Sequence, residues 1–481
     1  MLNETKTHED IKRQMFGLDA NSLRPIVCVQ GLGFVGAAMS IAVASATQAG
    51  GHSAFDVIGV DLDNPQGNQR VQTINAGLFP FSSGDNLLET ATRECHEKGN
   101  LSATTDNNAF RLADIVIVDV NLDVDFTQDP PIAAFDSYLL AIEALAMHIK
   151  QSALVIVETT VPPGTCEHVV LPTLQKAFKH RGLDPENILL AHSYERVMPG
   201  PEYLNSIINF WRVFAAVNET AADACEAFLC KVIDTKTFPL RKLSSMTASE
   251  TAKIMENTYR AVNIALMDEW GSFAEASGID IFEIISAIRD RPTHSNMRQP
   301  GFGVGGYCLT KDPYFGQIAN IAFSGDKNVN FPFAQLAMQT NQKMPVRNLD
   351  RIQTLLNKAP EDTQIILMGV AYRSEVDDTR YSAAEIFYKE AVSRGMSVTV
   401  HDPHVQHWQE MDLDVGPELP SPNNVDAVVF CVPHRFYQQF DLEEWLGAAR
   451  PMIYDCDNVL TKMQQQKINA GGLKLASTGR G

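Results

Sequence analysis

The sequence has few cysteines, and none of them belongs to a paired motif that binds a structural metal. Its 481 residues include 8 cysteines at irregular spacing, and no two stand in a C-x-x-C motif. This pattern excludes a disulfide-based scaffold and gives no reason to predict a zinc site or any other metal site. We therefore expect most of these thiols to be inert groups in a reducing cytoplasm.

Basic residues are also scarce. The chain carries 39 Lys and Arg residues against 58 Asp and Glu residues, a net charge of −19. General binders of nucleic acids or anionic membranes draw their affinity from clustered Lys and Arg, so the composition argues against both kinds of partner. If the substrate is an anion, the few cations must be gathered locally around it.

Long hydrophobic runs and a signal peptide are missing as well. No apolar run approaches the roughly 18–20 residues needed to cross a bilayer. Residues 1–24 are charged and lack the apolar core of a signal peptide. The sequence therefore predicts a cytoplasmic protein.

Short, β-rich apolar runs alternate with helical stretches near both ends of the chain. The predicted strands are Pro25–Gln30, Asp56–Asp61, Asp114–Asn121, Ala153–Thr160, Ile188–His192, Gln364–Ala371, Ser397–Asp402, Asp426–Val432 and Met452–Asp455. They are apolar on both faces, as the strands of a covered parallel sheet are. The pattern predicts an α/β fold in which two Rossmann-like, doubly wound parallel-sheet domains are joined by a helical middle domain. The predicted ranges are an N-terminal tail over 1–24, a first Rossmann domain over 25–235, the helical domain over 236–345 and a C-terminal Rossmann-like domain over 346–481.

The helical middle contains one unusually long segment, predicted as a central helix over Ala248–Ser277. Thr247 and Glu250 have the spacing of a capping box, and Gly278 is a suitable C-terminal stop. Because helices of this length are uncommon, two shorter helices with a break near Asn263 are the alternative.

A glycine motif follows the first predicted strand and precedes a helical stretch. In Gly31-Leu-Gly33-Phe34-Val35-Gly36 the glycines suit a tight turn, a close approach of a pyrophosphate and helix–strand packing. Asp61 ends the next strand, where its carboxylate can accept hydrogen bonds from an adenosine ribose. A carboxylate there favours NAD over NADP, because it would repel the 2′-phosphate.

A second match to the glycine pattern follows a loop rather than a strand, so it is not a dinucleotide motif. The segment from Gly301 to Asp312 instead places Cys308 in a glycine-rich loop shortly before Lys311 and Asp312. Nearby N–H groups and Lys311 would favour a thiolate, and Asp312 could take a proton from water. The alternative is a cysteine in a flexible loop.

Three polar residues lie on one face of the predicted long helix. Lys253, Asn257 and Arg260 are spaced four and three residues apart. A solvated polar face is the alternative, but the neighbouring face is apolar, which indicates a packed helix. A Lys aimed into a pocket could bind a developing oxyanion.

Together these segments resemble the family of NAD-dependent UDP-glucose/GDP-mannose dehydrogenases from Ile26 to about Val459. The matching segments are the first glycine motif with Asp61, ETTVPPGT (Glu158–Thr165), SYERVMPG (Ser193–Gly200), ETAKIMENTYRAVN (Glu250–Asn263), the GFGVGGYCLTKDP loop and DDTR (Asp377–Arg380). The ERVMPG and PGFGVGGYC forms are more similar to the branch that oxidises UDP-N-acetylhexosamines, such as UDP-N-acetylmannosamine dehydrogenase, than to the UDP-glucose branch.

The resemblance implies oxidation of the C6 primary alcohol of a nucleotide sugar to a carboxylate with two NAD⁺ and one water, supplying a surface-polysaccharide precursor. It implies that the first domain binds NAD, that the middle domain dimerises two chains and that the last domain binds the nucleotide sugar. Its implied catalytic residues are Cys308 as nucleophile, Lys253 and Asn257 for oxyanions, and Glu195, Thr160 and Asp312 for water. Its implied cofactor contacts are Gly31, Gly33, Phe34, Val35, Gly36, Asp61, Thr160 and Arg380. Its implied substrate contacts are Arg196, Val197, Lys253, Asn257, Arg260, Gly305, Tyr372 and Arg373.

The sequence departs from the family pattern at four positions. Tyr307 and Thr310 replace residues usual beside the cysteine, Arg373 replaces a common lysine, and His294 lies about where the N-acetylhexosamine branch has an arginine. Two other functions remain open at this point. A single-step β-hydroxyacid dehydrogenase would leave about 135 residues after Met344 unexplained, and a catalytically silent regulator would not need the chemical residues.

Overall fold

The computed structural model describes Leu18, residues 22–326 and residues 328–481. Most of the predicted N-terminal tail over 1–24 therefore lies outside the described residues. The chain forms two compact units. The first comprises the described residues through Ile254 together with Phe315–Val329, and the second comprises Met255–Tyr314 and the residues from Asn330 to the end. The four predicted domain ranges stay a prediction.

Strands and helices alternate through both units. The strands are β1 (Ile26–Gln30), β2 (Asp56–Val60), β3 (Leu101–Thr104), β4 (Ile115–Val118), β5 (Val124–Asp125), β6 (Ile132–Ala133), β7 (Leu154–Val157), β8 (Leu189–His192), β9 (Val213–Ala216), β10 (Arg241–Lys242), β11 (Gln364–Met368), β12 (Ser397–His401), β13 (His407–Trp408), β14 (Leu413–Asp414), β15 (Ala427–Phe430), β16 (Met452–Asp455) and β17 (Leu475–Ser477). The helices are α1 (Phe34–Ser45), α2 (Pro65–Asn75), α3 (Asn86–Glu97), α4 (Phe135–Ala146), α5 (Leu171–His180), α6 (Tyr203–Ile208), α7 (Glu219–Val232), α8 (Met246–Ser277), α9 (Ile281–Arg289), α10 (Phe315–Ala319), α11 (Pro332–Leu356), α12 (Ala383–Ser393), α13 (Arg435–Gln439), α14 (Leu442–Leu446) and α15 (Lys462–Ala470).

The first unit is built on an eight-stranded sheet in the order β10-β9-β8-β7-β4-β1-β2-β3. From β3 to β8 every neighbouring pair is parallel, and β9 is antiparallel to β8. The strand order reverses between β1 and β4, which is the switch point of a Rossmann sheet, where ligands bind beyond the carboxyl ends of the strands. All five residues of β1 and of β2 are buried, as the apolar runs predict.

The second unit contains a parallel five-stranded sheet in the order β12-β11-β15-β16-β17. Its switch point lies between β11 and β15. Buried apolar side chains of β11, β15 and α12 form its core. The predicted α/β class with two parallel sheets is therefore confirmed. Among the described residues, no helix combines the length and the hydropathy needed to span a bilayer.

The predicted long helix is confirmed as the continuous helix α8, so the alternative with a break near Asn263 is wrong. The predicted capping box is also wrong, because Thr247 already lies inside the helix. Ser245 caps the helix instead, since its hydroxyl accepts the Ala248 N–H at 3.1 Å. At the other end Gly278 has a φ of +69°, which confirms it as the stop.

Several strands end earlier than predicted. β4 stops at Val118, before the predicted end at Asn121, and β11 stops at Met368, before the predicted end at Ala371. After β11 the apolar pattern continues because Val370 and Ala371 remain buried, although they leave the ladder. After β4 only Asp119 remains buried, whereas Val120 is half-buried and Asn121 is exposed. These early ends free the residues after β4 and β11 to form loops at the carboxyl edge of each sheet.

Candidate functional site

The glycine loop between β1 and α1 forms a cradle at the carboxyl edge of the first sheet. Gly31 has a φ of +91°, and a Cβ there would lie 2.7 Å from the Asp119 carbonyl oxygen. A Cβ on Gly36 would lie 1.9 Å from the Gly31 carbonyl oxygen, so both positions require glycine. A Cβ on Gly33 would meet no atom within 4 Å, so that face of the loop is open. The open face at the N-terminus of α1 fits a pyrophosphate, which such N–H groups bind.

Asp61 follows β2 directly and is largely buried. Its Oδ1 accepts the Leu62 N–H at 2.8 Å, and its Oδ2 accepts a hydrogen bond from Nε of Arg70 at 2.7 Å. Arg70 lies on α2, and the sequence analysis did not identify it, because nothing in the pattern marks a residue nine positions from Asp61. The arginine holds the carboxylate in place beside the glycine cradle.

Three carboxylates follow the ends of neighbouring strands of the same sheet, Asp119 after β4, Glu158 after β7 and Glu195 after β8. Glu158 and Arg212 form an ion pair at 3.0 Å with almost no exposed side-chain surface. Burial raises the pKa of Glu158 to about 7, against the opposing charge of Arg212. Burial and the two neighbouring carboxylates also raise the pKa of Asp119. Negative charge is therefore costly at this edge, and nearby cations are needed to stabilise it.

Lys253 supplies one such cation. Its Nζ donates to the Glu195 carbonyl oxygen at 2.8 Å and lies 3.5 Å from Glu195 Oε1, with both side chains buried. Burial and the positive charge of Lys253 lower the pKa of His192 to about 3, so that imidazole is neutral. The structure thus places a buried ammonium group beside a buried carboxylate, a pair suited to hold an oxyanion or to move a proton.

The other predicted residues of this unit surround the same segment. The Val197 N–H donates to Glu195, and the Arg196 guanidinium lies over the Tyr194 ring at 5.1 Å. Thr160 is half-buried in the loop after β7. Phe34 and Val35 are the first two residues of α1, immediately after the open Gly33.

In the second unit, the predicted nucleophile lies on the glycine-rich loop that precedes Asp312. Cys308 is exposed, whereas Asp312 is completely buried. Asn257 Nδ2 donates to Asp312 Oδ2 at 2.7 Å, and Lys311 Nζ donates to Oδ1 at 3.1 Å. The Asp312 N–H in turn donates to the Cys308 carbonyl oxygen at 2.9 Å. The structure therefore brings Asn257 and Asp312 together and ties both to the backbone that carries the thiol.

The same loop packs against the start of the segment after β11. A Cβ on Gly305 would lie 2.4 Å from the Tyr381 carbonyl oxygen, and Gly306 has a φ of +83° beside the Tyr372 ring. Burial and the Asp378 carboxylate raise the pKa of Tyr372 to about 12, so its phenol stays a hydrogen-bond donor. Small residues in the loop are needed for this close approach.

Cations gather around Arg260, which also interacts with the thiol. Partial burial and the positive charges of Arg298 and Arg373 lower the pKa of Arg260, while Cys308 acts in the opposite direction. Arg298 was missed by the sequence analysis, although it lies only three residues before Gly301. Arg260 thus interacts electrostatically with two other arginines and with the Cys308 thiol. Such a local cluster of cations is what an acidic chain needs in order to bind an anionic substrate.

One predicted contact is engaged elsewhere. Arg380 forms a two-pronged ion pair with Asp378, with its Nε 2.9 Å and its Nη2 2.7 Å from the two carboxylate oxygens. Its predicted role at the cofactor phosphates stays a prediction.

Comparisons with known proteins agree with this description. The chain matches three models of the UDP-glucose/GDP-mannose dehydrogenase family, the NAD binding domain over residues 26–230, the central domain over 247–343 and the UDP binding domain over 366–462. It is 29% identical over 459 residues to the UDP-N-acetyl-D-mannosamine dehydrogenase of Methanocaldococcus jannaschii, covering 94% of this chain and 97% of that protein. It is 30% identical over 441 residues to the enzyme of the same name from Pyrococcus horikoshii, covering 90% of this chain and 96% of that protein.

A solved structure gives the same result. The UDP-D-ManNAc dehydrogenase structure from Pyrococcus horikoshii superimposes with a TM-score of 0.79 at 26% identity, covering 95% of this chain and 99% of that one. The family models together match most of the chain, and the glycine cradle with Asp61 fits the cofactor that the first of them names. The chain therefore belongs to the UDP-glucose/GDP-mannose dehydrogenase family and is an NAD-dependent nucleotide-sugar dehydrogenase.

Proposed function

We propose that this enzyme oxidises the C6 alcohol of a UDP-N-acetylhexosamine to the uronic acid in two steps through a covalent intermediate on Cys308. The observation that carries the proposal is the exposed thiol on the loop that Asp312 and Asn257 hold, with arginines nearby. A single oxidation of an alcohol needs no nucleophile, whereas oxidation to the acid does. Both the single-step dehydrogenase and the silent regulator are disfavoured by the relatives, which are nucleotide-sugar dehydrogenases.

The first step converts the alcohol to an aldehyde. When bound, NAD⁺ supplies the acceptor for each of the two hydrides that leave C6. The C6 hydroxyl releases its proton to solvent water as the first hydride departs, and the positive charge of Lys253 stabilises the alkoxide that forms. Its buried position beside Glu195 holds the ammonium group in a fixed orientation.

The second step needs the thiol. The Cys308 sulfur adds to the aldehyde carbon and forms a thiohemiacetal, whose oxyanion Lys253 and Asn257 stabilise. Loss of the second hydride gives a thioester, and water then attacks this carbonyl, releasing the acid and the thiolate. Glu195, Thr160 and Asp312 are the proposed groups that position this water or take its proton.

The substrate is tested by a panel of UDP-glucose, UDP-N-acetylglucosamine, UDP-N-acetylmannosamine and GDP-mannose, each assayed with NAD⁺. Because the relatives compared are UDP-N-acetyl-D-mannosamine dehydrogenases, we expect the highest kcat/KM with UDP-N-acetylmannosamine and two NADH per sugar. One NADH per sugar would contradict the two-step reaction. A preference for GDP-mannose or UDP-glucose would contradict the proposed sugar only.

Cofactor preference gives a second prediction. In Asp61→Ser the ribose hydroxyls lose a charged acceptor, and Arg70 is left to attract a 2′-phosphate. A hydrogen bond to a charged group contributes about 1.5–3 kcal/mol, so kcat/KM for NAD⁺ should fall by about 10- to 100-fold while that for NADP⁺ rises. Steady-state kinetics with both cofactors measures this, with the exposed Asp63→Ser as the matched control. Comparable kcat/KM for both cofactors in the unmutated enzyme would contradict the proposal that Asp61 selects NAD⁺ over NADP⁺.

Assembly gives a third prediction, in which we propose a homodimer. Helix α8 exposes a stripe of large apolar side chains at helical spacing. The exposed fractions are 66% for Met255, 55% for Tyr259, 46% for Leu266, 50% for Trp270 and 54% for Phe273. Such a stripe indicates a surface that a second copy covers in a two-fold dimer.

Light scattering should give about 106 kDa, twice the 53.0 kDa of one chain. Trp270→Glu should shift the particle toward 53.0 kDa at micromolar concentration, because a carboxylate would be buried without a partner. Val392→Glu is the control, because Val392 is also an exposed apolar residue but lies on α12. This variant should leave the particle mass unchanged. A monomer in the unmutated protein would contradict the proposed dimer.

A further inference from the structure

A cluster of two imidazoles and a carboxylate lies at the carboxyl edge of the second sheet, and none of the proposed chemistry uses it. The cluster comprises Glu375 in the loop after β11, His404 after β12 and His434 after β15. These three strands are neighbours and include the switch point between β11 and β15. Open α/β sheets bind ligands in this position, so the cluster occupies a place where a site is expected.

The donor atoms of the cluster are spaced as metal ligands are. His404 Nε2 lies 3.6 Å from Glu375 Oε1, and His434 Nδ1 lies 3.7 Å from the same oxygen. The donor atoms of all three residues lie within 4.8 Å of one another. Two ligands bound to one tetrahedral Zn²⁺ at about 2.1 Å stand about 3.4 Å apart, so only small movements are needed to coordinate an ion.

The buried imidazole is oriented for this role. His434 is fully buried, and its Nε2 lies 3.2 Å from Oδ2 of the equally buried Asp402. The Asp402 carboxylate also accepts four backbone N–H groups, from Val370, Ala371, His404 and Val405, which keep it ionised and fixed. A proton on Nε2 of His434 therefore leaves the lone pair on Nδ1, on the side of Glu375. A carboxylate that holds a histidine in this way is the usual outer partner of a metal-binding imidazole.

Backbone strain places the carboxylate. Glu375 has a φ of +61°, a left-handed conformation that non-glycine residues seldom adopt. In this conformation its N–H donates to His434 Nδ1 at 3.0 Å, and its Oε1 accepts the Arg435 N–H at 2.8 Å. A bound ion would take the Nδ1 lone pair in place of that N–H.

From these contacts we propose that Glu375, His404 and His434 form a binding site for a divalent transition-metal ion, with Zn²⁺ as the probe. Two imidazoles and one carboxylate are a ligand set that suits zinc, and water would complete the coordination. The ion would fix the loop after β11 to the ends of β12 and β15. Since Glu375 lies two residues after Arg373, occupancy would also steady that arginine. This last consequence rests on the proposed substrate role of Arg373, whereas ion binding does not.

The test uses the 481-residue chain, stripped with a chelator and dialysed. Titration with Co²⁺, which reports its geometry through visible absorption, should saturate at one ion per chain and be displaced by one equivalent of Zn²⁺. Losing a residue that only hydrogen-bonds a metal ligand typically weakens metal binding by about 10- to 100-fold. Because His404 is a proposed direct ligand, His404→Ala should weaken Zn²⁺ binding by more than this. His404 is exposed, so this variant should fold, and circular dichroism checks that it does.

Two variants separate this site from other zinc ligands. His407→Ala is the matched control, because His407 is an exposed histidine of the same unit that lies 2.9 Å from Asp414 and 3.6 Å from Asp412. Cys308→Ser removes the one exposed thiol of the proposed catalytic loop. Both should bind Zn²⁺ like the unmutated protein. Three results would overturn the proposal: unchanged Zn²⁺ binding in His404→Ala, lost binding in either control, or no stoichiometric binding in the unmutated protein. The cluster would then be only a set of hydrogen-bonded ion pairs.

A readout of KM keeps the two proposals distinguishable. With Zn²⁺ bound, KM for the nucleotide sugar should fall in the unmutated enzyme and not in His404→Ala. Stoichiometric binding without any change in KM would preserve the metal site and contradict only the substrate role of Arg373.

Discussion

Replacing Cys308 by serine is expected to abolish production of the acid while leaving the first hydride transfer in place. A serine hydroxyl is far less nucleophilic than a thiolate at neutral pH, and the ester it would form is a poor acyl donor beside a thioester. Turnover to the acid should therefore fall by at least about 1,000-fold. Removing the nucleophile of a serine protease lowers kcat by about 10⁶-fold, so this expected minimum is modest.

Rapid mixing with NAD⁺ and the sugar measures this, because the first NADH should still appear in a burst while the second does not. Cys230→Ser is the matched control, since Cys230 is also exposed but lies at the end of α7 rather than on the glycine-rich loop. It should behave like the unmutated enzyme. Near-normal yield of two NADH per sugar from Cys308→Ser would show that the covalent route is wrong.

Replacing Lys253 by alanine is expected to slow both hydride transfers together. Each step passes through an oxyanion at C6, and loss of one preorganised donor costs about 10²- to 10³-fold in kcat. The variant also leaves Glu195 buried without the cation that lies 3.5 Å away.

Single-turnover measurements of the two NADH phases separate this variant from Cys308→Ser, which affects only the second. Lys242→Ala is the control, because Lys242 pairs with Glu219 at the exposed edge of the first sheet. Thermal unfolding checks that the loss of activity is not a loss of fold. A selective loss of the second phase in Lys253→Ala would contradict its role in the first oxidation.

The local parts of this protein were predictable from the sequence because their physical causes are local. The turn at Gly31 and the packing of Gly36 require glycine for reasons within one strand–turn–helix unit, and the end of α8 at Gly278 follows from a single left-handed residue. The parallel sheets were predictable because strands buried on both faces are apolar without interruption. Sequence spacing also placed Asn257 and Arg260 on one helix, where the structure has them.

The start of α8 shows how a local pattern can mislead. Thr247 and Glu250 have capping-box spacing, but the Glu250 carboxylate accepts the N–H groups of Gly164 at 2.5 Å and Cys166 at 2.8 Å. These donors lie more than eighty residues away and become available only when the chain folds. Nothing in the local sequence indicates that Glu250 binds these distant N–H groups, so the pattern predicts the wrong hydrogen-bond partner for its carboxylate.

What the sequence by itself determined is the class of fold, the cofactor cradle with Asp61, the cysteine loop and the family. The tertiary structure decided which charges meet. Four groupings bring together residues that no helical or strand period connects in the sequence. They are Arg70 with Asp61, Arg212 with Glu158, Arg298 with Arg260, and the cluster of Glu375, His404 and His434. Helical and strand periods fix which face a side chain occupies, whereas the partner across that face depends on strand order and loop paths.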